Sequence, residues 1–560
     1  MTFLPIIERE LRVRARRPAT YWTRFAVGVF GVLICLTQLT FGGPVGGASS
    51  VGRFAFSGLV TAAFLLCCGA CALTADAISS ERREGTLGLL FLTRVRGHDV
   101  LLGKLGAAGL TGLCAVIVFL PVLMIPVLSG GVTGGEAFRK GLVLLNTLFV
   151  GLVVGLWASA RGGAGFVAFR RALLILLCLF AVPALFDLLT GRWMFWGRLV
   201  AAFSPWTGLS AAGDANYRAS PAHYWEGLLL LHLLGWCLLW RAGVVLRRSL
   251  REPRARPAVG DSAPAQRGVS SAARRKPAPL TEHDEPIAWL VRRQPGLALT
   301  VWVGVAVGVS YWLLTPFVVR FGTGGVGLQA LLWPISLVTQ TVKTGLFAWV
   351  ASRFFIETRR TGELELLVTT PHGAPAVVSA QWQLLKRLFR WPVLVLVLPM
   401  VLQAFFILVI QSSGLFGAWR VHYVISTVLS GVNTWVHVVA LCWVGMWFGL
   451  RARNQSTAII WTVGLVALLP QMLGWMCNLA AAMVSRFLLN RAPMLFFFFS
   501  SFSSVFVLMF YLWLIHWTRK LLSGDLRLAE LQPVAWVRGL RDFWRDGTTA
   551  LRSARHWTPS

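Results

Sequence analysis

The chain has 560 residues, 56% of them hydrophobic and only 13% charged, with a formal net charge of +31. Soluble domains carry about 25% charged residues, so an ordinary soluble enzyme is excluded. No DNA- or RNA-reading module accompanies the positive charge; Lys and Arg cluster between apolar runs, as the positive-inside rule distributes them in membrane proteins.

In chain order, Leu4, Ile7 and Leu11 recur at helical spacing while Glu8, Arg9, Arg12 and Arg16 occupy the other face. This predicts a short basic amphipathic helix lying in the membrane interface, with Pro5 in its first turn and Pro18 at its end. Runs of about 20 apolar residues are enough to cross ~30 Å of hydrocarbon. They place spans near 22–41, 54–78, 100–128, 141–160, 171–190 and 225–246. Pro121 and Pro126 predict a kink or break in the third. The polar but Trp-rich connection from Arg192 to Trp225 reads as an interfacial or re-entrant piece.

Between the second and third spans lies Ser80 to Lys104, SERREGTLGLLFLTRVRGHDVLLGK. Glu81, Arg82, Arg83 and Glu84 lead through Gly85 and Thr86 into Leu87, Leu89, Leu90 and Leu92, before Arg94, Arg96 and Lys104. Each central Arg or Asp costs about 2.5–3.5 kcal/mol in hydrocarbon. The segment therefore belongs at the membrane surface, leucines against headgroups or protein and charges available to a partner.

From Arg247 to Glu285 proline, alanine and arginine dominate and no apolar face is present, which predicts a disordered basic linker. Spans then recur near 297–318, 329–352, 386–411, 421–450, 456–482 and 494–517, and a second charged insert, Glu357 to Trp382, follows the eighth. It carries Glu357, Arg359, Arg360, Gly362, Glu363, Leu366 and Leu367. A shift of 277 aligns Gly85 with Gly362, Arg83 with Arg360, Leu89-Leu90 with Leu366-Leu367, Glu8 with Glu285 and Pro18 with Pro295; later, Gly155-Leu156 best matches Gly449-Leu450. The expected fold is an all-α membrane protein of about twelve transmembrane helices. They form two parallel six-helix repeats with interfacial helices, both inserts and both termini being cytoplasmic. The halves are 1–246 and 286–517, separated by the linker at 247–285 and followed by a basic cytoplasmic tail at 518–560.

Asp76, Lys343 and Arg353 are ionisable residues in or beside spans, and so functional candidates. Asp76 and Arg353 share one position under the 277 shift and are expected to approach as a cytoplasmic-side latch; Lys343 is placed to snorkel partway to the cytoplasm. His232 and His437 read as packed or hydrogen-bonded. The nine cysteines fall in apolar stretches and read as small buried hydrophobes; Cys67, Cys68 and Cys71 lack further ligands at metal-binding spacing. No catalytic constellation appears. No G-x-x-x-x-G-K-[ST] phosphate loop occurs either, so no cofactor is expected in this chain, and any ATPase driving it is another polypeptide.

An amphipathic basic helix, a first span, and a second span followed by Glu81 to Leu90, ERREGTLGLL, resembles a type-2 ATP-binding-cassette (ABC) exporter permease. Residues 8–18, including Glu8, Arg9, Leu11 and Arg12, resemble that family's elbow helix, and Glu81 to Lys104 its coupling-helix loop. The resemblance covers both halves and implies two fused permease units in the inner (plasma) membrane, with substrate crossing between them. It also implies coupling segments that dock a separate ATPase with two nucleotide-binding domains, where ATP and magnesium are held. The second copy departs from the first: Thr361 replaces Glu84, Glu363 replaces Thr86 and Gln381 replaces Lys104, leaving open whether both segments engage equally. The alternatives are a 12-span ion-coupled secondary transporter and a membrane enzyme acting on lipid-linked sugars. The sequence does not name a substrate.

Overall fold

A computed structural model of the chain describes residues 4–16, 18–41, 48–87, 97–162, 165–190, 200, 202–251, 296–321, 327–364, 373–409, 417–452, 455–474, 476–477 and 493–523, and every regular element among them is helical. Seven helical stretches, the first of them interrupted by turns, are long and apolar enough to cross a membrane: Val51–Arg82, Gly97–Leu128, Gly134–Ala160, Pro221–Arg247, Val424–Arg451, Thr457–Gly474 and Phe502–Leu522. By helix length and hydropathy the chain is thus a multi-pass membrane protein. The other five predicted spans are helical as well, and two of them contain the shorter apolar stretches Val27–Leu36 and Leu297–Tyr311. Chain contacts divide the protein into two units, Met1–Ser270 with Ser310–Val338, and Ser271–Val309 with Thr339–Ser560.

The first unit begins with α1 (Leu4–Ala15), followed by α2 (Pro18–Phe41) and α3 (Ala48–Gly69). The second predicted span does not continue as one helix. After α3 come a single turn, α4 (Cys71–Thr74), an irregular stretch, and α5 (Ser79–Glu84). A broken helix in hydrocarbon survives only where neighbours take up the freed backbone groups. Here α7 (Gly134–Ala160) does so, Ser159 Oγ accepting the backbone N–H groups of Ile78 at 3.0 Å and Ser79 at 3.1 Å. Thr74 Oγ1 adds a bond to the Leu152 carbonyl at 2.8 Å.

These bonds require close approach of the two backbones, and small residues permit it. Gly151, Gly155 and Ser159 repeat every four residues along α7, so they share one face. A Cβ at Gly155 would lie 2.1 Å from Thr74 Oγ1 and 2.4 Å from the Cys71 carbonyl oxygen. Around this seam, Phe56, Phe64, Phe119, Leu148, Leu152 and Tyr224 bury an aromatic-rich core. Cys67, Cys68 and Cys71 are buried too, whereas Cys178 and Cys237 lie exposed on the helix surface.

The third predicted span is α6 (Gly97–Leu128); of the kink or break expected at Pro121 and Pro126, the break is absent, the helix running through both prolines. A membrane helix tolerates proline because neighbouring groups satisfy the carbonyl that the missing N–H leaves free. The unit continues with α8 (Gly165–Thr190), two short helices α9 (Pro205–Ala211) and α10 (Asp214–Ala219), and α11 (Pro221–Arg251). The end of the stretch read as interfacial or re-entrant is therefore helical, with Leu209, Ala211 and Ala212 packed into the core. Helix α11 runs into the first residues read as linker, while 252–285 lie outside the described residues.

In the second part of the chain α12 (Leu297–Phe321), α13 (Gly327–Thr361), α14 (Gly373–Val409) and α15 (Gly417–Arg451) are long helices. They are followed by α16 (Gln455–Val463), which widens into a π-helical turn over Gly464–Leu468, and α17 (Pro493–Ser523). Helix α15 lies against α14, α16 and α17. Here too glycines permit a close seam, Gly449 of α15 meeting the Ser352 carbonyl and Gly445 meeting Ala351. Unlike its counterpart in the first unit, α13 stays unbroken across this seam.

Candidate coupling site

Helix α1 lies against α6, and sequence decides where. A Cβ at Gly106 would lie 2.8 Å from Ile7 Cδ1, so that glycine gives the α1 apolar face its seat. This places Arg9 and Glu10 beside the first turns of α6 and the start of α5. Lys104 Nζ is 2.9 Å from Glu81 Oε1 and 3.3 Å from Glu10 Oε1. Arg9 closes the group, 3.2 Å from Glu81 and 3.4 Å from Glu10. Lys104 is 4% exposed and Glu81 7% exposed.

Charges so sheltered are tolerated only when paired. Two carboxylates sharing one ammonium, with a guanidinium at the rim, meet that condition. Burial alone would raise the Glu10 carboxyl, but Lys104, and then Arg9 and Arg14, hold it below the ordinary carboxylate value. Glu81 Oε2 remains buried with no hydrogen-bond partner among the described residues. Of the other residues predicted to form an elbow helix, Glu8 and Arg12 form an exposed ion pair one helical turn apart, and Leu11 is half-buried.

The two inserts share two features. Each begins with a helix ended by a left-handed glycine, Gly85 and Gly362, and then a buried leucine, Leu87 and Leu364. Each also carries an arginine that reaches the end of the glycine-seamed helix. Arg359 Nη1 donates to the Leu450 carbonyl at the end of α15, 2.8 Å away. Arg82, at the matching position, lies against Gly162 just past α7, where a Cβ would come within 2.6 Å of its Nη1. A cation beside the free carbonyls of a helix C-terminus is a favourable pairing.

Among the described residues the ionic group has no second copy. The positions matching Glu81 and Lys104 are Thr358 and Gln381. Thr358 bonds back to the Phe354 carbonyl of its own helix, and Gln381 is 0% exposed with neither amide atom finding a partner among the described residues.

Known protein families, curated proteins and solved structures offer no match to this chain.

The remaining predicted residues are distributed as follows. Thr86 bonds the Glu81 carbonyl at 3.3 Å, and Glu363 is exposed just past Gly362. Arg83 and Glu84 lie on α5 and Arg360 on α13, with side chains outside the described residues; Leu89, Leu90, Leu366 and Leu367 lie outside them altogether. Asp76 is exposed in the turn between α4 and α5. Arg353 pairs with Glu357 at 3.0 Å on its own helix and covers the Trp349 ring. Asp76 belongs to the first unit and Arg353 to the second.

Sequence reasoning passed over Glu10 and the role of Lys104. A lysine four residues into an apolar run was the available signal. It also missed a clasp at the other end of α7. Thr133 caps that helix, accepting from the Glu136 N–H at 3.1 Å, and donates to Asp214 Oδ2 at 2.7 Å. The Arg139 guanidinium pairs with Asp214, donates to the Ala212 carbonyl at 3.0 Å and covers the Tyr217 ring. The hydrogen bond from Thr133, and then Arg139, hold the Asp214 carboxyl below its ordinary value.

Proposed function

We propose that this chain is the membrane-spanning permease subunit of an ATP-driven exporter, two permease-like units fused in one polypeptide, worked by a separate ABC-type ATPase. The single observation that carries this reading is the ionic group of Arg9, Glu10, Glu81 and Lys104. A plain connecting loop has no use for buried charge, since sheltering each ion costs several kcal/mol before pairing offsets it. A segment that must transmit force does: through Glu81 the insert is fastened to interfacial α1 and to the base of α6 together. Through Arg82 it also reaches the end of α7. A pull on the insert would then move three elements as one body.

In this reading both inserts face the cytoplasm of a multi-pass inner-membrane protein, and the leucines at 89, 90, 366 and 367 meet the ATPase. ATP and magnesium are held there, and this chain does no catalysis. The uncharged Thr358 and Gln381 make the second handle the more loosely fastened one.

The test is retention of an ATP-hydrolysing partner when the full-length chain is purified from its native membrane. Reversing Arg83 and Glu84 together with Arg360 and Glu363 is expected to reduce that retention at least tenfold, while thermal unfolding of the chain alone is unchanged. A partner held equally well by the reversed protein overturns the reading, as does a mapped topology with either insert outside the cell.

A further inference from the structure

Lys343 lies on α13, within the stretch read from the sequence as the eighth span. It is 3% exposed, and no hydrogen bond or ion pair reaches its ammonium among the described residues. Its stem is seated rather than loose. A Cβ at Gly308 of α12 would lie 3.1 Å from Lys343 Cδ and 2.6 Å from Leu396 Cδ2 of α14, so the absent side chain at 308 provides the passage in which the lysine lies.

An ammonium in such surroundings calls for a negative partner, and the sequence offers none nearby. Between Pro286 and Gly524 the acidic residues are Glu357, Glu363 and Glu365. The nearest, Glu357, is fourteen residues along the same helix, roughly 21 Å at 1.5 Å per residue, and is already paired with Arg353. The polar neighbours are uncharged acceptors and donors. Thr344 Oγ1 is 3.2 Å from His437 Nε2, and Tyr511 OH is 3.1 Å from His437 Nδ1. Both ring nitrogens are thus taken up within the row Thr344, His437 and Tyr511, and none of these groups supplies a counter-charge.

We propose that Lys343 anchors an anion-binding site inside the second unit, which takes the carboxylate or phosphate headgroup of an amphipathic molecule whose hydrocarbon lies along the apolar helices. The inference stands apart from the exporter reading, because binding is measured without nucleotide or ATPase.

The experiment follows thermal unfolding of the purified full-length chain in phosphatidylcholine nanodiscs, read by tryptophan fluorescence. Phosphatidylglycerol, dodecyl phosphate and dodecanol are added in separate arms. At least one anionic probe is expected to raise the unfolding temperature saturably, with dodecanol ineffective. The shift should vanish in Lys343→Met and persist in Lys343→Arg. A response to phosphatidylglycerol alone identifies a bilayer lipid as the occupant, and a response to dodecyl phosphate identifies a single-chain amphiphile. Equal shifts with dodecanol, or no response of the unaltered protein to either anion, overturn the proposal; so does a response that survives in Lys343→Met. Lys343→Met removes a buried charge without removing volume, so it is expected to fold. The comparison of anionic with neutral probes on the unaltered protein does not depend on it.

Discussion

Gly85 and Gly362 stand 277 positions apart and hold the same left-handed backbone, with φ of +75° and +76°. At neither would an added Cβ have a neighbour within 4 Å among the described residues, so the cost of substitution expected from them is conformational. Gly85→Ala and Gly362→Ala are each expected to lower stability by about 1–2 kcal/mol, and Asn at either position by less. Thermal unfolding of the purified chain checks both, and equal losses would mark the two turns as equivalent.

Lys104 serves two carboxylates, so its removal should cost more than removal of either acid. Lys104→Met leaves Glu10 and Glu81 facing one another with only Arg9 between them, and breaking a buried pair in this way costs about 3–5 kcal/mol. Glu81→Gln leaves the Lys104–Glu10 contact in place and is expected to cost less. The order of the two unfolding temperatures tests the arrangement; Glu81→Gln being the worse of the two would contradict it.

Acid should loosen the same site. The Glu10 carboxyl is held below its ordinary value, which means the folded chain favours its ionised form. Its contribution is complete above the unfolded carboxylate value, about pH 4.3, and is lost as pH falls through the depressed folded value. Unfolding of the parent and Glu10→Gln should therefore differ at neutral pH and converge in acid. A gap that widened on acidification would reverse the sign of the argument.

The α7 seam gives the sharpest steric test. Gly155→Ala puts a methyl against both Thr74 Oγ1 and the Cys71 carbonyl oxygen, and overpacking of this kind costs about 1–3 kcal/mol or more. Adding Thr74→Ala should recover only part, since the Cys71 obstacle is backbone. Gly141→Ala on the same helix, where a Cβ has no neighbour within 4 Å, is expected to leave stability unchanged or slightly raised. Size-exclusion profiles and unfolding temperatures of the three proteins separate the outcomes.

Much of the protein was readable from local pattern. The short helix at residues 4–15 followed from charge and apolar spacing, and seven predicted spans fell on helical stretches long and apolar enough to cross a membrane. The correspondence of Gly85 with Gly362 followed from two similar strings of residues, though the left-handed turn at each did not. The break after Gly69 did not. Nothing in Leu-Leu-Cys-Cys-Gly-Ala-Cys signals a helix end, because what makes the break tolerable is Ser159 on another helix, ready to accept the freed N–H groups. That α6 continues through Pro121 and Pro126 without breaking was equally hidden, since neighbouring groups can sustain a helix through proline.

Membrane residence was settled by sequence alone, because the free energy of moving a side chain from water to lipid belongs to that residue and adds up along any short window. The grouping of Glu10 with Lys104 across 94 positions, the seat Gly106 makes for Ile7 and the passage Gly308 leaves for Lys343 were decided by the tertiary structure. Each is a property of pairs. A charge is stabilised, or a methyl excluded, only by what another part of the chain brings within a few ångströms, and no local window holds both partners.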